Sequence, residues 1–159
     1  MKKTIFLLLI FVINAFADDA HLLTVSGGIF DIKRESHRTA QVYLEYKPNC
    51  NFRKIRPFVG SMVTFKGSFY LYGGLALELF FNKNLFLIPN LAMGYYNKGS
   101  GKNLGYPLEF RSGIEFGWDF RSYRLSLIGF HISNAHLGRH NPGEESVALN
   151  LSIPFKKHK

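Results

Sequence analysis

The chain has 159 residues, 20 Lys and Arg against 11 Asp and Glu, and a formal net charge of +9. That length supplies one domain, and the single cysteine, Cys50, excludes an intrachain disulfide and a thiolate zinc site. The basic balance suits either nucleic acid or an anionic lipid surface, and the amino terminus decides between them.

Lys2 and Lys3 form a positive n-region, residues 4–13 an apolar h-region, and Ala15-Phe16-Ala17 a small-x-small cleavage site before Asp18. The apolar run is short for a spanning helix, which needs about 20 residues. The segment therefore reads as a cleaved signal peptide over 1–17, with a single domain over 18–159. Export argues against nucleic acid. Without Lys2 and Lys3 the charge falls from +9 to +7, and anionic lipid or lipopolysaccharide becomes the natural partner.

Beyond the signal the chain alternates with period two, the signature of strands with two unlike faces. Strands are expected near 22–30, 39–47, 55–65, 68–80, 85–96, 107–120, 122–134 and 144–155. In the second, Val42, Leu44 and Tyr46 oppose Gln41, Tyr43 and Glu45. In the fourth, Leu71, Leu75 and Leu77 oppose Tyr70, Tyr72, Gly74, Ala76 and Glu78. Tyr95 and Tyr96 end the fifth and are expected in an interfacial aromatic belt. In the sixth, Ile114, Phe116, Trp118 and Phe120 oppose Arg111, Gly113, Glu115, Gly117 and Asp119. The eighth sets Val147, Leu149, Leu151, Ile153 and Phe155 against Ser146, Ala148, Asn150 and Ser152.

Export, alternation, 15 glycines and an aromatic content of 16% point to an all-β fold. The fold class is an eight-stranded antiparallel transmembrane β-barrel of the outer membrane, its apolar face toward lipid and its polar face inward. Arg56, Glu45, Glu78, Arg111, Glu115 and Asp119 fall on the inward face, where they are expected to pair. The segments 81–84 and 120–123 read as tight turns, and 31–38, 97–105 and 135–143 as longer polar loops. With the amino terminus in the periplasm, the seventh strand ends at the cell surface.

That strand ends in His131-Ile132-Ser133-Asn134-Ala135, and Asn141-Pro142-Gly143-Glu144-Glu145 follows across a loop. His131 and Ser133 are two residues apart and share a strand face. Their parity is that of Leu125, Leu127 and Gly129, and Glu145 shares parity with Val147, Leu149 and Leu151. Both sets are lipid-facing. Polar groups turned toward hydrocarbon are costly and mark function. Serine needs a base to become a nucleophile, and a base benefits from an orienting carboxylate, so Ser133, His131 and Glu145 hold the parts of a hydrolytic triad. Asn134, Asn141 or a backbone N–H near Gly138 are candidate oxyanion donors. Taken singly, a His-x-Ser on a strand and a rim carboxylate are ordinary surface features, and His136 and His140 read as loop residues rather than metal ligands.

These two segments resemble the signature of PagL-type lipid A 3-O-deacylases. The resemblance covers about the last quarter of the chain, a His-x-Ser-Asn-Ala strand end and a later Asn-x-Gly-x-Glu. It implies that His131 is the base, Ser133 the nucleophile and Glu145 the third triad member, with Glu144 at a variable position. It also implies that Asn141 is linked to the oxyanion hole and that Asn134 supports the nucleophile. Ester hydrolysis at the 3-position of lipid A would then proceed without metal or cofactor. His136 stands where members of the family often have glycine.

The expected substrate is lipid A or lipopolysaccharide among outer-membrane lipids, with a homodimer as an assembly to test. Lys33, Arg34, Arg38, Lys98, Lys102 and Arg139 are loop cations placed to meet lipid A phosphates. Removal of Glu144 is expected to be nearly silent. The rival readings are a non-enzymatic small outer-membrane barrel, for anchoring or surface binding, and a soluble β-sandwich.

Overall fold

The structure is a computed structural model that describes residues 20–50 and 52–157, with side chains through Phe155. The expected signal segment and its expected cleavage site lie outside the described residues. Eight strands form: β1 (Ala20–Phe30), β2 (Thr39–Lys47), β3 (Ile55–Thr64), β4 (Phe69–Leu77, resuming after Glu78 as Leu79–Phe80), β5 (Leu85–Asn97), β6 (Leu108–Asp119), β7 (Arg124–Ser133) and β8 (Glu144–Lys157). Each pairs antiparallel with its chain neighbours, and β1 pairs with β8, so the sheet closes on itself. The expected segments match these strands to within a few residues, because two-faced alternation is legible residue by residue.

The two faces behave as the membrane-barrel reading requires. Val25, Leu44, Val59, Leu71, Leu91, Ile114, Leu127 and Leu149 are exposed on the outside, where lipid would cover them. Trp118, Phe120, Tyr123 and Phe155 lie near one end of the wall, and Phe65, Tyr95 and Tyr106 near the other. Tyr96 departs from the belt expectation. It faces inward, buried, and its hydroxyl donates to Lys102 O at 2.8 Å. Adjacent tyrosines on a strand cannot both face lipid.

The interior is a buried ionic network in which Arg111 pairs with Glu45 and Arg56 with Glu78 as expected, while Glu115 and Asp119 pair instead with Lys47 and Arg124. Arg111 Nη1 donates to Glu45 Oε1 at 2.8 Å, and its guanidinium lies over the rings of Phe130 at 4.4 Å and Tyr72 at 4.9 Å. Lys47 Nζ sits 3.2 Å from Glu115 Oε2, and Arg124 joins Glu78 at 3.1 Å and Asp119 at 2.9 Å. Arg111, Glu45, Lys47, Glu115, Arg124 and Glu78 are buried, so these charges have mainly each other for solvation. Removing one partner should therefore be expensive. Arg111→Met is expected to lower barrel stability by about 3–5 kcal/mol, the usual cost of orphaning a buried charge. Urea unfolding of the refolded barrel in lipid vesicles, followed by tryptophan fluorescence, would measure it.

Candidate active site

The β7–β8 register sets His131 directly opposite Glu145, and the β6–β7 register sets Ser112 opposite His131 and Phe110 opposite Ser133. His131, Ser133 and Glu145 are half-buried, while their neighbours Phe130, Ile132 and Glu144 are buried inside. The parity argument therefore holds: the three groups lie on the outer surface of the barrel wall, near the end that carries loops 31–38, 98–107 and 134–143.

His131 Nδ1 lies 3.3 Å from Glu145 Oε1. That contact leaves Nε2 as the nitrogen that can face a nucleophile. Ser133 is two residues along the same face, about 6.7 Å of strand rise away. Among the described residues no hydrogen bond joins its hydroxyl to the imidazole. Such bonds are often long without substrate and tighten in the reactive complex.

An open groove of about 1340 Å³ runs along the outer wall to this cluster. Its walls include Ile32, Leu75, Leu91, Ile114 and Val147, and His131, Ser133 and Glu145 border it. Gly129 lies beside His131 in the same groove, and a Cβ added there would meet no atom within 4 Å. The groove thus has apolar sides, a smooth floor at Gly129, and its polar groups gathered at one place.

Gly143 has a sharper reason to be glycine. Its φ is 57°, and an added Cβ would stand 2.8 Å from His131 Cε1. The chain turns into β8 in a left-handed conformation and leaves room for the imidazole against its backbone.

The asparagines lie behind this surface. Asn134 is fully buried, and its Nδ2 donates to Leu104 O and His140 O, both at 2.8 Å. Its backbone N–H donates to Asn141 Oδ1 at 3.1 Å. In this arrangement the Asn134 side chain clamps two outer loops together just beyond Ser133. Asn141 Nδ2 is 3.5 Å from His136 Nδ1. Ala135 and His136 both have positive φ, 50° and 64°. The backbone at His136 thus takes the left-handed conformation that glycine adopts freely.

Several neighbours of the site carry no motif that sequence could have flagged. Lys33 Nζ lies 2.6 Å from Glu145 Oε1, the same oxygen that faces His131. Lys33 was expected only as a loop cation. Its pairing arises because Ile32 N–H donates to Glu145 O at 2.8 Å and extends the β1–β8 ladder by one step. Lys102 is a correction. It is buried against Asp31 and Gly143 and cannot meet a lipid phosphate at the surface. Glu144 faces inward as its parity predicts, and there it accepts from Ser146 Oγ at 2.7 Å and from Asp31 N–H at 3.3 Å inside the barrel mouth, a packing role that no motif announces.

A family model described as Lipid A 3-O-deacylase (PagL) matches residues 40–154, well over half of the chain and including every residue of the His131–Ser133–Glu145 cluster. The chain belongs to the PagL family of lipid A 3-O-deacylases. The crystal structure of the outer membrane enzyme PagL aligns with it at a TM-score of 0.64 and 20% identity, covering 84% of this chain and 99% of that one. A de novo designed transmembrane β-barrel aligns at 0.64 with 11% identity, covering 86% and 96%. The Yersinia pestis outer membrane protein Ail, as a backbone structure in a phospholipid bilayer nanodisc, aligns at 0.52 with 11% identity, covering 84% and 99%. What these three share with the PagL-family chain is the fold of a membrane β-barrel. None of the curated proteins matches the chain.

Proposed function

We propose that this PagL-family chain is an outer-membrane serine esterase that removes the ester-linked acyl chain at the 3-position of lipid A. In this reading residues 1–17 are the signal peptide that exports it. The observation that carries the reading is the 3.3 Å contact between His131 and Glu145 on the lipid-facing wall, with Ser133 on the same face of β7.

The chemistry follows from the positions. The acyl chain lies in the apolar groove, delivered by the membrane, and brings its ester carbonyl to the groove's polar border. Ser133 Oγ attacks the carbonyl carbon while its proton passes to His131 Nε2. Glu145 accepts from Nδ1 and stabilises the imidazolium. The C–O bond to the sugar breaks, and the leaving oxygen takes the proton from His131. Water, deprotonated by His131, then hydrolyses the acyl-serine and restores the hydroxyl. Backbone N–H groups in the turn after Ser133, or the Asn141 amide, supply hydrogen bonds to the oxyanion in this scheme.

Mass spectrometry of lipid A from cells with and without the protein tests the reading directly. Loss of one ester-linked acyl chain is expected with it. Unchanged lipid A, with a folded barrel in the outer membrane, would favour a non-enzymatic barrel. The groove makes a second expectation. Gly129→Phe fills the floor beside His131 at a position on the outer wall where an added Cβ meets no atom within 4 Å, so the barrel should fold normally. Uptake of a long acyl chain should suffer, with kcat/KM on lipid A falling about tenfold or more, since a misplaced substrate forfeits near-attack geometry. Hydrolysis of a short-chain p-nitrophenyl ester should fall much less.

A further inference from the structure

The inside of the barrel mouth holds a buried knot that touches the active site from behind. Lys102, from the loop between β5 and β6, is 3% exposed. Its ammonium donates to Asp31 Oδ2 at 2.5 Å and to Gly143 O at 2.5 Å. Asp31 is fully buried with φ 53°, and its backbone N–H points to Glu144 Oε2. One cation therefore joins three outer connections, those after β1, β5 and β7.

The place where it joins them matters for the lipid-facing side. Gly143 is two residues before Glu145, and its α-carbon packs so closely under the imidazole that an added Cβ would stand 2.8 Å from His131 Cε1. The left-handed backbone at Gly143 sets how far the imidazole approaches the wall and where β8 starts. The carbonyl of that same residue is held by Lys102. Asp31 in turn precedes Ile32, whose N–H bonds to Glu145 O. Both routes out of the ammonium, through Gly143 and through Asp31–Ile32, end at the His131–Glu145 pair.

We propose that Lys102 is a positioning residue: from inside the barrel, its ammonium sets the lipid-facing His131–Glu145 pair through Gly143. The proposal rests on the reading of His131 and Glu145 as catalytic groups. It differs from simple charge compensation in the barrel mouth, which would hold the loops without regard to the imidazole.

The test uses the refolded full barrel in detergent. Lys102→Met keeps the apolar stem and removes the ammonium. Expected is a fall in kcat of about a hundredfold, the scale of a displacement near 1 Å, with KM for lipid A within about twofold, because the groove is untouched. In a Glu145→Ala background the same change should cost little more, since the pair it positions is already broken. A full additional loss in that background would overturn the proposal, as would wild-type kcat in the single variant.

A second readout does not depend on the enzymatic reading. In the histidine Cε1–H spectrum, assigned with His131→Gln, the His131 signal should move in Lys102→Met. The signal of His21, at the opposite end of the barrel against Tyr46, should stay. An unmoved His131 signal overturns the proposal even if activity falls. If the wild type leaves lipid A intact, the esterase reading fails by itself and the spectrum alone decides on Lys102. Should Lys102→Met lose the heat-modifiable band of a folded barrel, the neutral double variant Asp31→Asn with Lys102→Met removes the uncompensated charge while still releasing Gly143 O. The same kinetic and spectral outcomes then apply to it.

Discussion

Ser133→Ala is expected to abolish lipid A deacylation while leaving the barrel folded. The hydroxyl sits at the strand end on the outer wall and makes no hydrogen bond among the described residues, so its removal costs almost nothing in packing. His131→Ala should match it, because a base and its nucleophile act as one unit and the first loss removes the benefit of the other. The expected fall in kcat is about 10⁴–10⁶-fold, the range seen when triad members are removed. The check is single-turnover hydrolysis of purified lipid A in detergent, with heat-modifiable migration to confirm folding. Near wild-type activity in the serine variant would remove Ser133 from its role.

Glu145→Ala should come next in size. Its carboxylate stands 3.3 Å from His131 Nδ1 and orients the ring rather than reacting. An orienting carboxylate costs about 10⁴ in kcat when lost, less than the ~10⁶ of nucleophile or base. Lys33 shares the same oxygen at 2.6 Å, but two-thirds of its side chain is exposed, and a pair in that setting contributes little. Lys33→Met should therefore change kcat by less than about fivefold.

Glu144→Ala separates the two adjacent carboxylates by kind of effect. Glu144 is buried inside the mouth, bonded to Ser146 and Asp31. Its removal should lower the urea midpoint of the barrel while leaving kcat at least tenfold above that of Glu145→Ala. Assay and unfolding of both single variants decide this. An inactive but fully stable Glu144→Ala would reverse the assignment of the two carboxylates and of the face on which the site lies.

Most of this architecture was legible residue by residue. A strand reports its two faces in every second side chain, so Leu71, Leu75 and Leu77 against Tyr70, Tyr72 and Glu78 already determined which side meets lipid. The same parity carried His131, Ser133 and Glu145 to the outside and Glu144 to the inside, because a strand permits no third direction. The short motif around them named the family. What sequence could not determine was anything that depends on loops crossing the barrel mouth. Lys102 looks like any solvated loop lysine, since the chain around it has no period from which its direction could be read. Its burial follows only from closure of the eight strands, which brings the loops after β1, β5 and β7 over one lumen. Asn134 likewise reads as a neighbour of the nucleophile, yet strand parity together with the fold of the 98–107 loop turns it inward to Leu104 and His140. The registers that set His131 opposite Glu145 and bring Ile32 to the same residue are also tertiary facts. Local alternation determined each face of each strand; the choice of which polar groups meet depended on closing the sheet, because only closure sets register and loop position together.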